Sequence, residues 1–421
     1  MKWEKVKLGE LYEVHNGLSK AGKFFGEGYP FLTFSTVFNN YFIPKQITDL
    51  VQSTEKEQES YSIRRGDVFV TRTSETSDEL GMSCVALKDY PMATYNGFTK
   101  RMRPITNRVF PEYIGYYMRL PSFRDEFRAF STMTTRASLR NEDLLGLEVK
   151  LPSIEIQKQI ADILSAYDDL IENNQKQIKL LEEAAQRLYK EWFVDLRFPG
   201  HENTKIVDGV PEGWSKNPIQ DFISYEIGGG WGEELQNEKS MIPAYVIRGT
   251  DIKGLVNGQL QSVPYRYHTA GSLETRKLRD GDIVFEVSGG SKTEGVARTV
   301  RIIDLMLKTW ENSVICASFC KRIKPIPSFS QYLYDSFRWM RLNGKTQEYD
   351  KKSASSIVNY RWKDFLAQEK ILKPDEETIS RYNNIAGTIY TKIIVCSCQI
   401  EQAKMKRDLL LPKLMNGEVE V

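Results

Sequence analysis

The chain has 421 residues, 41% hydrophobic and 27% charged, the composition of an ordinary folded protein and neither a disordered nor a fibrous one. Lysine and arginine number 58 against 56 aspartates and glutamates, so net charge alone selects no nucleic-acid or membrane partner, and any nucleic-acid reading must come from where the charge lies. The start, Met1-Lys2-Trp3-Glu4-Lys5-Val6-Lys7, is charged where an export signal needs an apolar core. No stretch nears the ~18 apolar residues of a membrane span. Five scattered cysteines (Cys84, Cys316, Cys320, Cys396, Cys398) read as reduced thiols, so a cytoplasmic chain without membrane contact is expected.

Residues 1–150 read as a mixed α and β part. Val68-Phe69-Val70-Thr71 is a short strand leaving a Gly66-Asp67 turn. Pro111 to Phe130, with Ile114, Tyr117, Met118, Phe123 and Phe127, predicts two helices broken at Pro121. Residues 151–194 predict one long helix, opened by Pro152 and closed before Pro199-Gly200. Its apolar residues keep a heptad in three columns. One is Ile160, Tyr167, Asn174, Leu181 and Leu188; the next is Ile156, Ile163, Leu170, Gln177 and Ala184; the third is Leu164, Ile171, Ile178, Ala185 and Trp192. Asn174 and Gln177 would fix register at some cost in stability.

After a linker over 195–212, a second mixed part occupies 213–370, with Ile283-Val284-Phe285 behind Gly281-Asp282. Residues 371–421 predict a second long helix, with Tyr382, Ile389, Cys396, Ala403 and Leu410 in one column and Ala386, Ile393, Ile400 and Leu411 beside it.

The two halves repeat. Trp3 with Leu8 answers to Trp214 with Ile219, Arg65-Gly66-Asp67 to Asp280-Gly281-Asp282, Lys100-Arg101-Met102-Arg103-Pro104 to Lys321-Arg322-Ile323-Lys324-Pro325, and Leu151-Pro152 to Lys373-Pro374. The expected fold is therefore α+β: two mixed parts separated by two long antiparallel helices, a coiled-coil spacer, with an approximate internal two-fold. Such a chain presents two similar surfaces at a fixed distance, which suits duplex DNA.

Motifs for catalysis are missing. There is no phosphate-binding Gly-x-x-x-x-Gly-Lys-Ser/Thr loop, and the glycines at Gly228-Gly229-Gly230 and Gly289-Gly290 make no dinucleotide fingerprint. His15, His201 and His268 are too scattered for a zinc site. Asp282 and Glu286 flank a strand as nuclease carboxylates do, but Val287-Ser288 follows where a lysine is usual. The basic residues say more. From Lys100 to Arg140 nine basic residues stand against three acidic, arginine dominates, and hydroxyls are interleaved from Ser131 to Asn141. Lys351-Lys352-Ser353-Ala354-Ser355-Ser356 occupies the matching place in the second half.

These features resemble the specificity subunits of type I restriction–modification enzymes along nearly the whole chain. The carriers are Trp3 with Leu8-Gly9-Glu10, and Pro211-Glu212-Gly213-Trp214 at the other start. Leu147 to Pro152 leads into Gln157 to Leu164, and Ala185 to Phe193 closes the helix. Arg407 to Gly417 ends the chain in the family's manner. The resemblance implies two target recognition domains, each reading half of a split site in double-stranded DNA. It implies helices that dock two modification (methyltransferase) subunits carrying S-adenosylmethionine, and restriction subunits that use ATP and magnesium. This chain would bind no cofactor and catalyse nothing. Arg72, Thr73, Arg101, Arg103, Thr135, Arg136, Ser138 and Arg140 are the DNA-contact candidates of the first domain. Ser288, Lys292, Lys351, Lys352 and Ser355 are those of the second, with arginine reading bases and lysine and hydroxyls holding phosphate. Ile160, Tyr167, Asn174, Leu181, Leu188, Trp192, Tyr382, Ile389, Ile400 and Leu410 are expected to pair the helices or meet partners. Two other readings stay open here: a structural adaptor that never touches DNA, and an enzyme built on paired carboxylates.

Overall fold

The computed structural model describes residues 3–74, 79–129, 137–256, 263–289, 295–352 and 357–421. The chain forms two compact units, Met1–Asp168 with Met405–Val421, and Asp169–Lys404. Each holds one end of each long helix.

In the first unit a four-stranded antiparallel sheet runs in the order Tyr12–Asn16, Thr99–Pro104, Val68–Thr71, Ser83–Val85. A second sheet places Phe25–Leu32 between antiparallel Leu50–Val51 and parallel Thr94–Tyr95. Glu4–Lys7 pairs with Glu148–Leu151, and Thr73–Ser74 with Ala137–Ser138. The second unit repeats this plan. Its main sheet runs Ile223–Gly228, Cys320–Pro325, Ile283–Glu286, Thr299–Arg301. Ile242–Ile247 lies between antiparallel Tyr265–His268 and parallel Ser313–Cys316, and Ser215–Pro218 pairs with Lys370–Lys373. Ser288–Gly289 pairs with Val358–Tyr360, which also takes Asp350–Lys352.

The same local chemistry builds both. Gly66 (φ 90°) and Gly281 (φ 82°) turn the chain through the left-handed region into the central strand. The next residue's carboxylate closes that turn: Asp67 accepts from Arg64 N at 2.7 Å and Asp282 from Arg279 N at 2.8 Å. Thr54 caps helix Glu55–Ser60, its hydroxyl accepting from Glu57 N while Glu57 accepts from Thr54 N. Thr269 caps the equivalent helix, Ala270–Arg276, by accepting from Ser272 N. As expected, two helices, Pro111–Tyr117 and Pro121–Ala129, meet at Pro121.

The long helices are Ile154–Tyr189 and Glu376–Asn416, of 36 and 41 residues. Their starts fall later than the sequence boundaries at 151 and 371, because Glu148–Leu151 and Lys370–Lys373 are strands. In the first unit Ile160 and Leu164 share a core with Leu411, Leu414 and Met415, and Arg407 Nη1 lies 2.6 Å from Asp168 Oδ1. In the second unit Cys396 Sγ is 3.9 Å from Gln177 Oε1, and the Tyr382 ring meets Trp192 (5.7 Å) and Phe193 (4.8 Å). Within each unit early residues of one helix thus face late residues of the other, so the paired segments run antiparallel. Two of the three expected columns do the packing. Ile160, Leu164, Ile171, Asn174, Ile178, Ala185 and Trp192 are buried, and Tyr167, Leu181 and Leu188 half-buried. On the second helix Tyr382 and Ile400 are buried, and Ile389 and Leu410 half-buried. The column from Ile156 to Ala184 corrects the expectation: Ile163 and Leu170 are exposed at 37% and 42%. A seam against one partner helix needs only two positions per heptad, so a third column turns outward.

Candidate nucleic-acid interface

The candidates that lay far apart in the sequence converge within each unit. In the first, Thr73 pairs with Ser138 and Ser74 with Ala137, and Leu139 N donates to Arg72 O at 2.9 Å. In the second, Ser288 pairs with Asn359 and Gly289 with Val358, and Tyr360 N donates to Val287 O, again at 2.9 Å. Each unit therefore carries a short ladder that joins the loop after the central strand to the segment before the next small helix. Directly opposed residues of antiparallel strands share a face. Ser288, Asn359 and Lys351 are opposed in one row, with Ser288 Oγ 2.9 Å from Asn359 Oδ1 and both Lys351 and Asn359 exposed. This row offers an ammonium, an amide and a hydroxyl, the groups that hold phosphate oxygens and base edges.

The first ladder is flanked by arginines. Arg72 Nη1 donates to Asn16 Oδ1 at 3.2 Å, while its Nε is buried without a partner. Arg140 has a side chain 74% exposed, and Asp143 holds its fork at 2.9 and 3.1 Å. A fork held this way is ordered but still open to a phosphate or a guanine. Burial pulls the nearby Lys100 ammonium below its ordinary value, and the Arg72 guanidinium adds to the drop. Excess positive charge at this edge favours an anionic partner.

Two candidates are corrected. Arg101 is 3% exposed, donates to Ser62 O at 2.7 Å and lies over the Tyr95 ring. Arg103 is tied to Asp67 at 2.7 and 2.8 Å and to Ser62 O at 2.9 Å. Both are strand residues that neutralise a buried carboxylate or the carbonyls past a helix end, so neither is free for DNA. Thr135, Arg136, Lys292 and Ser355 lie outside the described residues. Thr73, Ser138 and Lys352 are on the ladder strands.

Sequence reasoning missed Arg361, Asn359 and two phenylalanines. Arg361 answers to Arg140: each precedes a small helix and sits three residues before its carboxylate, Asp364 at 3.8 Å and Asp143 at 2.9 Å. The recurring Arg-x-x-Asp was the available signal. Phe98 and Phe319 are 57% and 58% exposed beside the two ladders.

The carboxylates considered for catalysis are occupied. Asp282 accepts from Arg322 Nε at 2.8 Å, and Glu286 grips Arg298 through both oxygens at 2.8 Å. Among the described residues no group of three or more His, Cys, Asp or Glu is placed to hold a metal, and no helix is long and apolar enough to cross a membrane.

A sequence profile of the type I restriction modification DNA specificity domain matches residues 1–183. The MjaIX specificity subunit of a Methanocaldococcus jannaschii type I restriction enzyme is 27% identical over 100% of this chain and 94% of its own length. The HindI specificity subunit of Haemophilus influenzae is 26% identical, covering 99% of each. The crystal structure of the S subunit of a type I restriction–modification system from M. genitalium shares the fold, with a TM-score of 0.60 and 14% identity over 98% of this chain and 96% of that one. With its duplicated heads and paired helical ends, this chain is similar along its whole length to type I restriction–modification specificity subunits.

Proposed function

We propose that each head reads one half of a split site in double-stranded DNA, and that the paired long helices act as a coiled-coil spacer and dock two methyltransferase subunits, with restriction subunits joining that core. The observation that carries this reading is the ladder built twice, with exposed Arg140 beside one and the Lys351–Asn359–Ser288 row across the other. Two equivalent polar surfaces on one chain suit a ligand that repeats its contact groups along its length. On this reading Arg72, Arg140 and Arg361 read bases or grip phosphate, Lys351 and Ser288 hold phosphate, and the chain itself is not catalytic.

S-adenosylmethionine and ATP with magnesium then belong to the partner subunits. The residues here do not fit a nucleotide cradle. A Cβ on Gly229 would stand 2.2 Å from Ala317 O, so that glycine serves backbone packing.

The test is fluorescence anisotropy of the chain with its methyltransferase partners on a duplex carrying the split motif found by methylation sequencing of the host genome. Tight binding that is lost when either half-site is scrambled is the expected result; equal binding to a scrambled duplex overturns the reading. Deleting one heptad from both helices, residues 174–180 and 394–400, should shift the preferred half-site spacing and leave base identities alone.

A further inference from the structure

Phe98 and Phe319 occupy one place in two heads. Each is the third residue of a four-residue turn closed by the same hydrogen bond, Thr99 N to Asn96 O at 3.0 Å and Cys320 N to Ala317 O at 2.8 Å. Each carbonyl accepts from the residue that starts the polar ladder, Arg72 N at 3.0 Å and Val287 N at 2.9 Å. The other three turn residues differ, Asn96-Gly97-Thr99 against Ala317-Ser318-Cys320, yet the phenylalanine recurs and stays 57% and 58% exposed. One exposed phenylalanine needs no explanation. An exposed ring at the same turn of two diverged copies, beside the ladder of each, does. The first turn is held rigid: Asn96 Oδ1 accepts from Phe98 N at 2.6 Å, and a Cβ on Gly97 would stand 2.2 Å from Ser19 Oγ. A ring fixed in water next to phosphate-type contacts has one apolar surface to meet in duplex DNA, the faces and methyl groups of the bases.

We infer that Phe98 and Phe319 are the apolar base contacts of the two heads, one ring to each half-site. The inference rests on the DNA reading above and adds specificity-determining residues to it. Alanine at either position removes a ring–base contact and no charge. In the anisotropy assay with the full complex, F98A and F319A should each weaken binding to the split-motif duplex by about 5- to 100-fold. F98A should abolish discrimination at one half-site and F319A at the other, so the untouched head serves as the folding control. The slope of log affinity against log salt should not change, because no counterion is released at these positions. Both variants within twofold of wild type, while the wild type discriminates, would overturn this inference alone. Weakening with a flattened salt slope would also overturn it, by reassigning the positions to phosphate. A wild type that does not discriminate would overturn the DNA reading and this inference together.

Discussion

The two heads solve one electrostatic problem differently. Both bury an aspartate behind the turning glycine, and both must answer its charge. In the second head the answer is Arg322 on the neighbouring strand, with side chains of both partners 6% and 2% exposed. Its counterpart in the first head, Arg101, caps carbonyls at Ser60 and Ser62, and the aspartate is answered by Arg103 two residues along. Arg322 keeps the capping role as well, donating to Thr275 O at 2.8 Å. The frame is kept while the residue that satisfies it moves. Basic residues on the central strands therefore report on the inside of the head, and the DNA reading proposed above rests on the ladder at its edge.

That contrast can be broken first inside the heads. R322A leaves Asp282 buried without its partner and should cost about 3–5 kcal/mol of stability by chemical denaturation. R103A, whose side chain is 17% exposed, should cost less, about 1–3 kcal/mol. Equal and small losses would remove the distinction between a fully enclosed pair and a half-enclosed one. At the edges, R140A and R361A should leave stability unchanged. Each should weaken DNA binding by about 1–3 kcal/mol, relaxing one base position. K351A should weaken all sequences alike and lower the salt slope by about 0.9. Loss of stability in place of binding would return these three residues to the fold.

The smallest expected effect concerns a second exchange of roles. In the first head Tyr116 donates to Asp168 on a long helix at 2.5 Å; in the second, Tyr382 on a long helix donates to Asp335 at 2.8 Å. Burial raises the Asp335 carboxyl above its ordinary value, against the lowering effect of its hydrogen bonds from Gln331 and Tyr382. A raised acid stabilises the fold below the ordinary aspartate value and loses that contribution as pH climbs through the raised one. D335N should flatten this decline in the denaturation midpoint as pH rises above the ordinary aspartate value. An unchanged slope would show that Asp335 does not set it.

The repeat, the Gly-Asp turns, the helix break at Pro121 and two heptad columns were legible because each is a local pattern. The ladders were half legible. Their hydroxyl- and lysine-rich segments stood out, but their pairing joins Thr73 to Ser138 across the whole head and rests on sheet register. Burial of Arg101 was not legible, since an arginine on a strand next to a lysine reads as surface until the Ser60 and Ser62 carbonyls that it caps are placed. Phe98 and Phe319 were hidden for the opposite reason: a phenylalanine in a sequence reads as core.

The most direct measurement is the adenine methylation pattern of the host genome with and without this chain, the methyltransferase gene left intact. A split motif present with the chain and absent without it is the predicted result. Persistence of the same split motif after deletion would contradict the claim that this chain supplies the sequence reading.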